Sequence, residues 1–147
     1  MIVVDTSVFI DLFFEYRPDR TELSEELFRI IEGKPIFEPD LFKIELASQL
    51  VRRMRMEEAV TTAEETFKQL NFVALSDIFE LAFLIAIETG CRAADSFYIA
   101  AAKTTGSILV SSDRAQVESA KKFGINAFYL LEGADALERI KKEMEGG

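Results

Sequence analysis

Four carboxylates, Asp5, Glu45, Asp95 and Asp113, fall in four separate segments of the chain, each beside an apolar run, and the sequence contains no histidine to accompany them. Without histidine there can be no Ser-His-Asp triad, no Cys-His dyad, no His-ligated metal and no imidazole proton transfer. The single cysteine, Cys91, can form neither an intramolecular disulfide nor a Cys-rich zinc site. With no imidazole to activate it, Cys91 reads as inert. The chemistry that remains belongs to carboxylates, hydroxyls, Lys/Arg and bound hard cations. Mg²⁺ and Mn²⁺ take oxygen ligands and keep several waters, so clustered carboxylates can hold them without nitrogen donors. Such ions would also turn an acidic crevice into one that attracts phosphate.

Each acid has an ordinary structural explanation beside the functional one. Asp5 ends the apolar run Ile2–Val4, and Asp113 follows the run 107–110. In open parallel sheets the functional crevice lies beyond the carboxyl ends of the strands, yet an Asp after a strand equally serves as a helix cap or Asx turn. Asp95 lies in a segment that is apolar almost all round, on the side shared with Tyr98, Ile99 and Ala102. A buried unpaired anion is costly, so Asp95 either complements a helix dipole in the first turn or meets a proton, a partner or a cation in the crevice. Glu45 sits in a helical segment whose apolar arc gathers Ile44, Ala47, Leu50, Val51 and Met54. By angular count it faces away, with Gln49 and Arg52, as a solvated residue would. Only its place directly after the second strand keeps Glu45 in the set.

The elements that must carry these residues follow from hydrophobic period. Short apolar runs at 2–4, 35–38, 71–75, 107–110 and 127–130 read as five buried strands. Helical periods fill 22–32, 40–54, 57–70, 77–88, 94–104, 115–123 and 134–145. Asp77 with Glu80 has the form of a capping box, Pro39 suits a first helical turn, and Gly33, Gly90, Gly106 and Gly124 stand where helices end. Strands alternating with helices imply an α/β class in which a parallel sheet is covered on both faces, a three-layer α/β/α sandwich. The length of 147 residues and the 49% hydrophobic fraction suit one domain, 1–147.

With 17 Lys+Arg against 26 Asp+Glu the net charge is -9, which excludes generic basic-surface binding of nucleic acid. Arg52, Arg53 and Arg55 either track a phosphate backbone or complement a helix dipole. Asp5 and Asp11 interrupt the N-terminal apolar stretch, which has no basic region before it, so the reading is of a cytoplasmic protein with no membrane span. Phe9, Phe13 and Phe14, with Ile10 and Leu12, crowd one segment beyond what a small core absorbs and suggest a homodimer surface. A dehalogenase-like phosphatase would need a second Asp where Ser7 stands, and neither GxxxxGK nor GxGxxG occurs.

Four segments together resemble the motifs of PIN-domain ribonucleases, especially the VapC-type toxins. They are Ile2-Val3-Val4-Asp5-Thr6-Ser7-Val8, Leu41-Phe42-Lys43-Ile44-Glu45, Ala94-Asp95-Ser96-Phe97-Tyr98-Ile99-Ala100-Ala101-Ala102 and Leu109-Val110-Ser111-Ser112-Asp113. The resemblance implies a five-stranded parallel sheet in the order 3-2-1-4-5, a divalent-metal site binding Mg²⁺ or Mn²⁺, and endonuclease cleavage of RNA. It carries metal-site roles onto Asp5, Glu45, Asp95 and Asp113, and a hydroxyl role onto Ser7 or Ser111. It also implies a small antitoxin protein as partner, with basic residues laid over the acidic cleft. Some members carry a further acid shortly after the fourth motif, where this chain has Ala115 and Gln116, so a second metal position is incomplete. The alternative is a PIN-like module that binds nucleic acid or protein without catalysis.

Overall fold

Apolar runs too short for helices become five parallel strands, and the periodic segments between them become eight α-helices, over residues 1–146 described by the computed structural model. Gly147, the last residue of the expected single domain, lies outside the described residues. The strands are β1 (Ile2–Val4), β2 (Phe37–Pro39), β3 (Asn71–Val73), β4 (Ile108–Ser111) and β5 (Ala127–Tyr129). The helices are α1 (Thr6–Phe13), α2 (Pro18–Ile30), α3 (Leu41–Val51), α4 (Met56–Phe67), α5 (Leu75–Thr89), α6 (Ala93–Thr105), α7 (Arg114–Lys122) and α8 (Ala134–Gly146). Ile2, Val3 and Val4 are all fully buried, which requires cover on both faces of the sheet. Helix α6 supplies one part of that cover, lying against β1, β2 and β4 with α5 behind it. Its run Ala100-Ala101-Ala102 is buried and small enough to let helix and strands approach closely.

The sheet departs from the expected single ladder. β1 pairs with β4 and β4 with β5, while β2 and β3 form a separate two-stranded pair. The two sheets are joined by an isolated bridge between Ile2 and Ile36, where Ile2 N–H donates to the Pro35 carbonyl at 3.2 Å. The strands thus lie in the order 3-2-1-4-5, but as sheets of three and two strands and not as one of five. The cause is a side chain in the seam. Val4 N–H donates to Glu38 Oε2 at 3.3 Å, so a carboxyl group takes the place of a neighbouring strand's carbonyl.

Three local expectations are also corrected. Residues 6–13 form a helix, capped by Asp5, whose side chain accepts from Ser7 N–H. That helix folds the crowded phenylalanines into the core: Phe9 packs edge-on against Phe28 and Phe42, and Phe13 and Phe14 lie partly buried against the same cluster. Part of the segment stays open, where Phe9, Leu12 and Phe13 line a cavity of about 250 Å³. Pro39 ends β2 and does not open a helix, and Asp77 lies inside the first turn of α5, whose N-cap is Ala74, so the capping box does not form. The expected C-terminal glycines do occur, with Gly90 and Gly106 left-handed at the ends of α5 and α6.

Glu38 is fully buried and its Oε1 has no hydrogen-bond partner. Burial, reinforced by the nearby Asp5 charge, holds its carboxyl well above the usual glutamate range despite the Val4 N–H. A carboxyl group raised in the folded state binds its proton more tightly there than in the unfolded chain. Its contribution to stability is complete below the ordinary value of 4.5 and declines as pH rises from there through the raised folded value. Glu38→Gln keeps an acceptor for Val4 N–H and cannot ionise. Thermal melting of the two proteins from pH 4.5 upward should therefore show the variant gaining on the wild type as pH rises; parallel curves would contradict the buried-acid account.

Candidate active site

The carboxyl ends of the strands and the N-termini of three helices meet at one cavity of about 590 Å³. Its lining includes Asp5, Thr6, Ser7, Asp11, Arg20, Glu45, Arg52, Arg92, Asp95 and Asp113. All four acids singled out from the sequence are there, as is Ser7. Ser111 is fully buried at the end of β4 and outside the lining, where its Oγ accepts from Asp113 N–H at 2.9 Å.

Asp5 and Asp113 are helix caps and cavity residues at once. Asp5 Oδ2 accepts from Ser7 N–H at 3.0 Å at the start of α1, and its Oδ1 accepts from Gln116 Nε2 at 3.1 Å. Asp113 Oδ1 accepts from Ala115 and Gln116 N–H at the start of α7. Asp95 is buried in the first turn of α6. Burial raises its pKa, against the pull of the Arg92 guanidinium, which lowers it. The positive ends of three helix dipoles therefore point at the same group of anions.

Glu45 reaches the cavity by a rotation of α3 that the angular count does not give. Phe42, Leu46 and Leu50 form the buried stripe, while Ile44 and Val51 are 68% and 50% exposed. Glu45 Oε1 accepts from Tyr98 Oη at 2.5 Å and from Thr6 Oγ1 at 3.2 Å, and the two hydroxyls lie 2.6 Å apart. Burial, with Asp5 and Glu38 adding to it, pushes the Tyr98 hydroxyl far above its usual value, so it remains a donor.

Arg92 precedes α6 and was not singled out from the sequence. Its Nε donates to Asp95 Oδ2 at 3.2 Å, and its terminal nitrogen pairs with Asp113 Oδ2. The i, i+3 spacing of Arg92 and Asp95 was the available signal. Gln116, fully buried, and Tyr98 had no local signal, because their partners lie 111 and 53 residues away. Asp11 and Arg20 share the cavity, where burial raises the Asp11 carboxyl against the charge of Arg20.

The donor set suits a hard divalent cation, since it consists of carboxylates and hydroxyls with no nitrogen or sulfur ligand. As the side chains stand, no three acidic groups among the described residues close around a single point that could hold a metal ion. The guanidinium of Arg92 already bridges two of them.

A family model described as PIN domain matches residues 2–122. The crystal structure of PAE2754 from Pyrobaculum aerophilum is similar at 16% identity and a TM-score of 0.61, covering 99% of this chain and 90% of that one. Mycobacterium tuberculosis VapC20, a sarcin-ricin loop cleaving toxin, is similar at 16% identity and a TM-score of 0.66, covering 85% of this chain and 96% of that one. A toxin-antitoxin complex from Klebsiella pneumoniae contains a chain similar at 16% identity and a TM-score of 0.59, covering 77% of this chain and 87% of that one. Comparison with curated proteins finds no significant match.

The support of Glu45 can be measured without any assay of function. Tyr98→Phe removes the hydroxyl that meets a carboxylate in a buried setting and is expected to destabilise the fold by about 2 kcal/mol. Urea unfolding should show a lower midpoint at unchanged slope. A midpoint equal to that of the wild type would mean that the Tyr98–Glu45 bond contributes nothing.

Proposed function

The chain belongs to the PIN-domain family, and on that premise we propose that it is a Mg²⁺- or Mn²⁺-dependent endoribonuclease that acts as the toxin of a toxin-antitoxin pair. The observation that carries this reading is the meeting of Asp5, Glu45, Asp95 and Asp113, from four distant segments, in one cavity. The likeness to a toxin named for cleaving the sarcin-ricin loop supports RNA as substrate, and the likeness to a chain of a toxin-antitoxin complex supports an antitoxin partner.

Asp5, Glu45 and Asp95 would hold the ion, with Asp113 beside them on Arg92. Once bound, it would polarise the phosphate and lower the pKa of the attacking water. The chain's own groups do the rest. Gln116 and Ser7 N–H fix the Asp5 carboxylate, and Tyr98 and Thr6 fix that of Glu45 through Oε1. Glu45 Oε2 is left free, either as a ligand of the ion or as the base that accepts a proton from water. Ser7, which lines the cavity with its Oγ buried and unpartnered among the described residues, takes the hydroxyl role. Ser111 acts one step back, through its bond to Asp113 N–H. Arg20 and Arg52 give the cavity a positive side, against a net charge of -9, that meets neighbouring phosphates.

Partners follow the same logic. The antitoxin presents arginine to the acids, as Arg92 already does to Asp95 and Asp113 within the chain. Self-association as a homodimer uses the outer face of α5, where Phe79, Phe83 and Ile87 are 58%, 63% and 69% exposed at successive turns. No helix among the described residues is long and apolar enough to cross a membrane.

Asp5→Asn keeps an acceptor for Ser7 N–H, so the melting temperature should hold while cleavage of RNA with Mn²⁺ falls about 10²–10³-fold. EDTA should abolish wild-type cleavage. Activity that survives chelation would sink the metal-dependent mechanism. Light scattering should give a dimer for the wild type and a monomer for Phe83→Glu; a wild-type monomer would remove the homodimer.

A further inference from the structure

One guanidinium spans two acids from different helices. Arg92 bonds Asp95 Oδ2 at the start of α6 and Asp113 Oδ2 at the start of α7. The other oxygen of Asp113 is taken by the backbone N–H groups of Ala115 and Gln116, so both of its oxygens are committed within the protein. Beside it, the position that flanks Asp5 is filled by an amide donor, Gln116 Nε2, and not by a further carboxylate. The Asp113 side of the cavity thus carries a fixed positive charge and hydrogen-bond donors. Acceptors without a partner among the described residues remain on Asp95, through Oδ1, and on Glu45, through Oε2. Asp5 stands between the two sides.

We propose that Arg92 supplies the second positive charge of this site, so that the chain takes one divalent cation, on the Asp5–Glu45–Asp95 side. The guanidinium works opposite that cation, at Asp113. With the guanidinium on its Oδ2 and two backbone N–H groups on its Oδ1, the Asp113 carboxylate is neutralised and occupied, which leaves little to attract a second ion. The Arg92 side chain is 70% exposed, so its remaining N–H groups reach solvent and can meet a non-bridging phosphate oxygen of a bound strand. This last clause rests on the nuclease reading. The stoichiometry does not.

The test is a Mn²⁺ titration of the full chain, with the free aqueous ion followed by electron paramagnetic resonance at fixed pH and salt. The wild type should take one ion per chain. Arg92→Gln removes the charge at an exposed position and should take two, the first at least about tenfold more tightly, because the guanidinium that repels a cation is gone from among the same acids. Arg92→Lys keeps the charge and should stay at one. Two ions on the wild type or on Arg92→Lys, or an Arg92→Gln isotherm that coincides with the wild type, would overturn the inference. No uptake by any of the three overturns it together with the metal-dependent mechanism. One ion on the wild type with two on Arg92→Gln, but no RNA cleavage, leaves it standing and removes the nuclease reading alone.

Discussion

Repulsion among the carboxylates at the strand ends is the constraint to which the surrounding structure answers. Asp113 and Asp5 both raise the cost of ionising Asp95, and Glu38 lies close enough to feel Asp5 and Glu45 through the seam of the sheet. At short range and reduced dielectric such pairs cost several kcal/mol unless something opposes them. Four devices do. Three helix N-termini face the acids, Arg92 bridges two of them, Gln116 and backbone N–H groups bond the charged oxygens, and burial holds the Glu38 carboxyl well above the usual glutamate range. Each device also fixes a carboxylate in place.

The alternatives of cap and ligand for Asp5 and Asp113 are not exclusive, and the reason is geometric. A helix that starts where a parallel strand ends presents its free N–H groups to the same crevice that the strand opens. A side chain that caps such a helix therefore stands at the crevice with one oxygen engaged by the backbone. Asp113 shows the division most clearly, with Oδ1 turned to the helix and Oδ2 to Arg92.

The broken ladder between β2 and β1 belongs to the same account. A carboxyl group in the seam gives up main-chain hydrogen bonds, yet it brings β2, and with it the start of α3, into contact with β1 directly below Asp5. The surface charge is likewise sorted by place. Of the arginines at 52, 53 and 55, only Arg52 lines the cavity; Arg53 donates to Gln49 and lies over the rings of Phe14 and Tyr16, and Arg55 stands at the N-cap position of α4 without a side-chain capping bond. The acidic exterior and the arginine-bearing cavity therefore act on a polyanion in opposite senses.

Much of this was legible in the sequence where the cause is local. Apolar runs of three to five residues between periodic segments give the α/β class and the position of every strand to within a few residues, because burial on both faces leaves no alternation to read. Asp5, Asp95 and Asp113 were legible for the same reason: strand ends and first helical turns are places a short stretch of sequence defines by itself. Tertiary structure alone decided what depends on a distant partner. Glu38 entered the seam because Val4, 34 residues away, offers it an N–H. Helix α3 turned Ile44 outward and Glu45 inward because Phe42, Leu46 and Leu50 fill the core and because Tyr98 and Thr6 bind the carboxylate. An apolar count ranks faces by solvent transfer, whereas a half-buried carboxylate with two hydroxyl donors outweighs one exposed isoleucine, and that balance exists only after the segments have met.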